Sequence, residues 1–140
     1  MKYVPAPELK GRTIVITGAA RGIGAEMARA AGSVGMKVAI IDVLDEELKK
    51  TETEIKASNG DIHGYVLDIT NESEVNKTFA QIEKDLGSIQ VLVNNAMFHD
   101  PANLLETSLE SWNKTMAINL AGPFLCLKAV LPAMIKQTWK

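Results

Sequence analysis

Apolar runs alternate with segments of helical periodicity along this chain. Four short runs rich in β-branched residues, at 13–17, 37–42, 61–67 and 90–94, predict β-strands. Between them, apolar residues spaced three and four apart predict helices that each bury one face. In the first three helices these positions are Ile23, Met27, Ala30, Ala31 and Val34; Leu44, Leu48 and Ile55; and Val75, Phe79, Ile82 and Leu86. The pattern predicts a parallel sheet covered on both faces.

The order of these elements predicts the topology of the sheet. A βαβαβαβ arrangement with right-handed crossovers gives a doubly wound α/β fold of the Rossmann type, with strand order 3-2-1-4, cut off after the fourth strand and two following helices. A ligand is expected at the carboxyl ends of the strands, where the order reverses between the first and the fourth.

Two helices are predicted after the fourth strand. Leu109, Trp112 and Met116 share one helical face, which we expect to pack in the core. The apolar stretch 118–135 is interrupted by Lys128 and two prolines. We therefore interpret it as a buried helix and not as a membrane span.

Composition narrows the classes of function. Hydrophobic residues make up 46% of the chain and charged residues 23%, as in soluble globular proteins. The net charge of −2 and the absence of a Lys/Arg cluster argue against nucleic acid or an anionic membrane as a partner. Cys126 is the one cysteine, which excludes an internal disulfide and a cysteine-based metal cage. Residues 1–12 lack the apolar core of a signal peptide, so we expect a cytoplasmic protein without a membrane partner.

The turn after the first strand carries a glycine pattern typical of phosphate binding. Residues 17–24 read TGAARGIG and lead directly into a helix. Glycines let backbone N–H groups approach a pyrophosphate, and a helix N-terminus adds about half a positive charge. The predicted cofactor residues of this turn are Gly18, Arg21, Gly22, Ile23 and Gly24. A tight strand-to-helix turn without a ligand is the alternative.

Asp42 ends the second predicted strand, near the place where an acidic residue meets the adenosine ribose in Rossmann-type sites. Its carboxylate can accept hydrogen bonds from both ribose hydroxyls and would repel a 2′-phosphate. Val43 follows, so no cation stands there to receive that phosphate. Asp42 thus favours NAD over NADP. Arg21 in the glycine turn weakly favours NADP, because a cation there could meet the 2′-phosphate. The alternative is that Asp42 caps the second helix.

Three further motifs follow the later strands: LDIT at 67–70, NNA at 94–96 and INL at 118–120. Together with the glycine turn, they resemble the N-terminal part of a short-chain dehydrogenase/reductase, of the 3-oxoacyl-carrier-protein reductase or sugar/alcohol dehydrogenase kind. The resemblance implies one incomplete NAD(P)-binding domain over residues 1–140, with 1–12 as an extended arm. It also implies hydride transfer between nicotinamide and a hydroxyl/carbonyl substrate.

The resemblance implies roles for residues at the strand ends. Asp68 would accept from the adenine amino group, and the backbone of Ile69 would complete that contact. The alternative for Asp68 is a turn-capping carboxylate. Asn95 and Ala96 would tie the strand ends together and contact the cofactor ribose.

Other positions bear on catalysis. Asn119 matches the active-site Asn of the family, which kinks a helix and holds a water in a proton relay; the alternative is a helix-boundary Asn. Met97 stands where the family has Gly and is expected to narrow the nicotinamide side of the pocket. Neither Tyr3 nor Tyr65 is followed four residues later by Lys, and the family's catalytic Ser, Tyr and Lys have no counterpart. We therefore predict that this chain alone is inactive.

The last helix suggests a partner. In the family, the helix corresponding to the one with Phe124, Leu127 and Leu131 packs into a subunit interface, so we expect an exposed apolar surface and a homo-oligomer. Three functional hypotheses stay open. The chain is the cofactor-binding part of an NAD-dependent oxidoreductase, an inactive short form that binds dinucleotide or another subunit, or the product of a decayed reading frame.

Overall fold

The computed structural model describes residues 6–58 and 60–138. These residues form one parallel sheet in the order β3-β2-β1-β4, with helices on both faces. The strands are β1 (Thr13–Thr17), β2 (Lys37–Asp42), β3 (Asp61–Val66) and β4 (Ile89–Val93). The helices are α1 (Gly22–Ser33), α2 (Asp45–Ala57), α3 (Glu72–Leu86), α4 (Leu109–Met116) and α5 (Gly122–Met134). The predicted Rossmann-type fold and its strand order are confirmed.

The predicted bounds of β1 and β2 match the structure, whereas β3 and β4 differ from the prediction by one residue. β3 ends at Val66, which pairs with Asp42 at the end of β2, and the following N–H, that of Leu67, still donates to the Asp42 carbonyl at 3.0 Å. β4 begins at Ile89 and ends at Val93, and its register against β1 shifts after the first pair. Hydrophobic pattern alone does not reveal such a shift.

Side chains alternate between two cores, one on each face of the sheet. Ile14, Ile16 and Ile40 are buried on one face, where α1 and α2 pack. Val15, Ala39 and Ile41 are buried on the other, with α3 and α5. The strands are covered on both sides, which explains why they read as unbroken apolar runs.

The predicted buried face of α1 is wrong at Ile23, whose residue surface is 75% exposed. The buried positions of this helix are Gly24, Ala25, Ala28 and Ala31. These small residues fit between the helix and the sheet, and Met27 and Val34 pack at the margin. Ile23 lies in the first turn of α1 and faces a cleft at the carboxyl ends of the strands. The 3.6-residue periodicity of a helix does not reveal that its first turn lies beside a cleft.

The helical stretch after β4 also departs from the prediction. Leu109, Trp112 and Met116 are exposed and not part of the core, and Trp112 is 52% exposed. Within 118–135 only Gly122, Cys126 and Val130 are buried, because α5 contacts the sheet and α3 along one narrow side. Burial raises the pKa of the Cys126 thiol to about 11. The continuous helix Leu109–Met134 is long and apolar enough to cross a membrane by length and composition alone, with a mean hydropathy of 1.5.

The predicted extended arm falls partly outside the described residues, since residues 1–5 are not among them. The part that is described is not fully extended. Pro7–Leu9 form a short 3-10 turn, because the ring of Pro7 fixes φ in the helical range at its first position. Leu9 packs against the core formed with α1 and α2.

Candidate functional site

A cleft of ≈ 510 Å³ opens at the carboxyl ends of the strands. It lies at the switch point between β1 and β4, where the topology predicts a ligand. It brings together Gly18, Arg21, Ile23, Asp42, Asp68, Ile69, Asn95 and Ala96 of the predicted cofactor residues. Gly22 and Gly24 do not line the cleft; they shape the turn beside it.

The three glycines of the turn are required by the backbone. Gly18 and Gly22 have φ of 65° and 59°, in the left-handed region that favours glycine. A Cβ at Gly18 would lie 2.6 Å from the Ala96 Cα, and one at Gly24 would overlap the Gly18 carbonyl oxygen. The turn therefore sits against the chain leaving β4, and no side chain stands between its backbone and the cleft at Gly18.

Asn95 fastens the glycine turn to the end of β4. Its Nδ2 donates to the carbonyl oxygens of Thr17 and Gly18, at 3.0 and 2.9 Å. The buried Thr17 hydroxyl accepts from the backbone N–H groups of Asn95 and Ala96, both at 3.1 Å. The predicted tie between strand ends is present, and it fixes the two walls of the cleft relative to each other.

Asp42 links the glycine turn to the chain leaving β2. Its Oδ2 accepts from the Ala20 N–H at 3.0 Å, and its Oδ1 accepts from the N–H groups of Val43 and Leu44 at 2.8 and 3.2 Å. These donors precede α2, whose first residue is Asp45, so the alternative that Asp42 caps this helix is wrong. The carboxylate is held at the rim of the cleft.

Asp68 is exposed at the rim and also stabilises a turn. Its Oδ1 accepts from the N–H and the hydroxyl of Thr70, at 2.9 and 2.8 Å, as the turn-capping alternative expects. The next residue, Ile69, is buried against α5. A Cβ on Gly122 would lie 2.5 Å from the Ile69 Cδ1, so this glycine permits the close contact.

Asn119 lies inside a π-helical turn, Ala117–Ala121, that joins α4 to α5. It is therefore not at a helix boundary, and the turn is a local widening of one continuous helix. The Asn119 Oδ1 accepts from the Phe98 N–H at 2.8 Å, and its Nδ2 donates to the Phe98 carbonyl at 2.9 Å. The side chain thereby fixes the chain after β4 next to Met97, which lines the cleft and is 69% exposed.

Residues on α4 and the preceding loop complete the cleft and were missed by the sequence reasoning. Phe98 and Lys114 line it, next to Ile118 of the INL motif in the π-helical turn. The Lys114 Nζ stands 4.3 Å from the centroid of the Phe98 ring, a cation–π contact. The one available signal was the spacing of four between Lys114 and Ile118, immediately before Asn119.

The loop that carries Phe98 has a second attachment to the same continuous helix, at Ser111 on α4. The Asp100 carboxylate accepts from the Ser111 hydroxyl and from the Ala102 N–H, and these hydrogen bonds lower the pKa of Asp100. The loop is thus held to the helix on both sides of His99.

A parallel sheet in the order 3-2-1-4, with a glycine turn and a cleft at its switch point, defines a dinucleotide-binding domain of the Rossmann type. The sequence matches the profile of the short chain dehydrogenase family over residues 12–139. The chain therefore belongs to the short-chain dehydrogenase family, and the resemblance seen in its motifs is confirmed.

Relatives and solved structures extend this assignment. A sorbitol dehydrogenase of Cereibacter sphaeroides is 39% identical over 127 residues, which are 91% of this chain and 48% of that protein. A metagenomic short-chain oxidoreductase in complex with NADP has a TM-score of 0.85 and 35% identity, covering 91% of this chain and 58% of that one. A short-chain dehydrogenase/reductase from Burkholderia phymatum in complex with NAD has a TM-score of 0.89 and 28% identity, covering 93% and 46%. The chain spans about half the length of the curated relatives it matches.

Proposed function

We propose that this chain binds NAD(H) in the cleft and is the cofactor-binding part of an oxidoreductase that acts on a hydroxyl/carbonyl substrate. The observation that carries the proposal is the glycine turn at the switch point, which Asn95 ties to the end of β4 and which lies beside the carboxylate of Asp42 in the cleft. Family membership supports hydride transfer as the reaction class. We place the protein in the cytoplasm.

Each predicted cofactor residue has a proposed partner. The backbone of the glycine turn and the N-terminus of α1 face the pyrophosphate. Asp42 accepts from the adenosine ribose, and Asp68 with the backbone of Ile69 meets adenine. Asn95 and Ala96 lie beside the second ribose. When bound, the nicotinamide would accept or donate the hydride.

Preference for NAD over NADP rests on Asp42. Two unit charges 4 Å apart interact by about 4 kcal/mol at the effective dielectric constant of a protein surface, so the carboxylate would oppose a 2′-phosphate. Arg21 acts in the opposite direction, since it lines the same cleft. We weigh Asp42 more heavily because its backbone hydrogen bonds hold it in place, whereas the Arg21 side chain is exposed.

We also propose that the chain by itself does not catalyse hydride transfer. Tyr65 is the one tyrosine among the described residues, and its hydroxyl donates to Asp85 on α3, away from the cleft. The side chain of Asn119 is bonded to the Phe98 backbone, and the described residues supply no tyrosine–lysine pair with which Asn119 could form the family's proton relay.

Binding titrations of the purified chain test these proposals. We expect NADH to bind more tightly than NADPH, and the Asp42→Asn variant to lose about tenfold in NADH affinity, because a hydrogen bond to a charged group contributes about 1.5–3 kcal/mol. The exposed Asp45→Asn on α2 is the matched control and should leave both affinities unchanged. Tighter binding of NADPH would overturn the NAD preference, and cofactor-dependent turnover by the chain would overturn its inactivity.

A second function, pairing with another copy of the chain, is favoured by the exposed apolar side of α5. Phe124, Leu127 and Leu131 lie on it, and all three are exposed. We propose that this side forms a homo-oligomer interface.

A further inference from the structure

The wall of the cleft formed by α4 and the loop after β4 carries a cation, Lys114. Arg21 and Lys114 are the two cations among the described residues that line the cleft. Lys114 has no carboxylate within ion-pair distance in the described part of the chain. Its ammonium lies instead over the ring of Phe98.

The backbone of Phe98, whose ring lies beneath Lys114, is held by hydrogen bonds. Both the N–H and the carbonyl of Phe98 are bonded to the Asn119 side chain, so this backbone is anchored to the continuous helix that also carries Lys114. A charge over an aromatic face is bound more weakly than a charge paired with a phosphate. The ammonium is therefore positioned at the cleft without being neutralised.

The ligand proposed for the cleft is strongly anionic, and two carboxylates, Asp42 and Asp68, already line it. A dinucleotide adds at least two negative charges. The glycine turn supplies backbone donors and Arg21 at one wall, while the other wall has only Lys114 to offset this charge.

We propose that Lys114 binds a phosphate group of the dinucleotide, exchanging its contact with the Phe98 ring for a pair with phosphate oxygen. This rests on the proposed function of the cleft. The phosphate is either the pyrophosphate, present in every dinucleotide, or the 2′-phosphate of NADP, and the ligands of the test distinguish the two.

The test compares Lys114→Met and Lys114→Arg with wild type in calorimetric titrations of ADP-ribose, NADPH and adenosine. We expect Lys114→Met to weaken ADP-ribose binding about tenfold, or about 1.4 kcal/mol, and to reduce its dependence on salt. Lys114→Arg should retain affinity, and adenosine, which lacks phosphate, should bind all forms alike. A loss confined to NADPH identifies the 2′-phosphate, whereas equal losses for ADP-ribose and NADPH identify the pyrophosphate.

Two controls separate this role from packing. Lys84→Met removes an exposed lysine from the last turn of α3, whose end contacts the start of β1 and is remote from the cleft. It should bind as wild type. Phe98→Leu removes the ring but keeps the charge, and should lose less ADP-ribose affinity than Lys114→Met.

The outcomes are distinct for the two proposals. If wild type binds ADP-ribose, and Lys114→Met binds both ADP-ribose and NADPH with the affinities of wild type, the proposed role of Lys114 is wrong. The proposal of a dinucleotide site is unaffected by that result. Loss of affinity in Lys114→Arg equal to that in Lys114→Met also contradicts it. If wild type binds neither ADP-ribose nor NADPH, the proposed function fails, and the role of Lys114 fails with it.

Discussion

Single polar residues at the strand ends have two duties in this protein. Asn95 and Asp42 face the cleft, and each also makes hydrogen bonds to backbone groups of the glycine turn. Replacing Asn95 would leave the carbonyl oxygens of Thr17 and Gly18 without their donor. Replacing Asp42 would leave the Ala20 N–H without its acceptor, and either loss is costly for buried backbone groups. A change at either residue is therefore expected to alter stability as well as affinity.

Asn95→Asp tests this at the residue scale. The substitution replaces an amide that donates to two carbonyl oxygens by a carboxylate that can only accept. We expect the free energy of unfolding to fall by about 1–3 kcal/mol in urea denaturation. The neighbouring exposed Asn94 gives the control, since Asn94→Asp makes the same chemical change outside this hydrogen-bond network. Equal effects of the two variants would contradict the assignment.

Individual site residues could be predicted from the sequence where the backbone conformation requires one residue type, such as glycine. The glycine spacing predicted a tight turn after β1, and the structure shows its backbone requirement in the positive φ of Gly18 and Gly22 and in the close approach at Gly24. Lys114 and Phe98 could not be found this way. They reach the cleft from a loop and helix whose placement depends on the Asn119 side chain, and no local pattern encodes that contact.

At the scale of elements, β3 and α3 are joined by a tyrosine–carboxylate contact. The Tyr65 hydroxyl donates to the Asp85 Oδ2 at 2.8 Å, and Gln81 donates to the other carboxylate oxygen at 2.7 Å. Partial burial, followed by the hydrogen bond to Asp85, raises the pKa of Tyr65 well above its usual value of 10. The folded chain thus favours the neutral phenol.

This shift predicts a loss of stability in alkali. Because the folded pKa lies above the unfolded value of 10, the contribution of Tyr65 is fully present below pH 10 and is lost as pH rises towards the folded pKa. We expect the free energy of unfolding to fall more steeply above pH 10 in wild type than in Tyr65→Phe, which keeps the ring. Parallel pH dependences in the two proteins would contradict this.

A second prediction at this scale concerns the contact between Gly122 of α5 and Ile69, which follows β3. In Gly122→Ala the new methyl group would press on the Ile69 side chain, 2.5 Å from its Cδ1. Overpacking lowers the free energy of unfolding by about 1–3 kcal/mol, and the better helix propensity of Ala raises it by about 1 kcal/mol. We expect a net destabilisation in urea denaturation and weaker adenosine binding.

Gly32→Ala on α1 is the matched control for Gly122→Ala. There the nearest atom, the Ile55 Cγ2, would be 3.3 Å from the added methyl, so the overlap is smaller. We expect little change in stability and none in adenosine binding. Unaltered stability in Gly122→Ala would show that Ile69 can move aside freely.

Elements of the sheet were predictable because both of their faces are buried, which makes β1 and β2 continuous apolar runs. The same reasoning failed for α4. A stripe such as Leu109, Trp112 and Met116 shows that one face is apolar, but the sequence of a helix does not say whether another element covers that face. Coverage depends on the remainder of the fold.

At the scale of the whole molecule, one surface is unusually apolar. Exposed large hydrophobic side chains run along the helix from α4 to α5: Leu109, Trp112, Met116, Leu120, Phe124, Leu127, Leu131 and Ile135. Contiguous apolar surface of this kind marks an interaction site in a folded protein. It supports the proposed association of copies of the chain.

We therefore expect the purified chain to sediment as an oligomer, and Phe124→Ser combined with Leu131→Ser to shift it towards monomer. Both side chains are exposed, so their loss should leave the core intact. Val66→Ser, at an exposed apolar position on β3 outside this surface, should not change the sedimentation of the chain. A well-dispersed, highly stable wild-type monomer would overturn the expectation.

The Asn95 contacts have a consequence for how the molecule forms. The two walls they join are 77 to 79 residues apart in sequence, whereas β1 and β2 are separated by a single helix. Pairing of β4 with β1 closes the longest loop of the sheet, and such long-range contacts slow folding. We therefore expect the cleft to form late in folding. A nucleotide that binds both walls would hold β4 on the sheet, and hydrogen exchange in β4 should slow more on binding than exchange in β2.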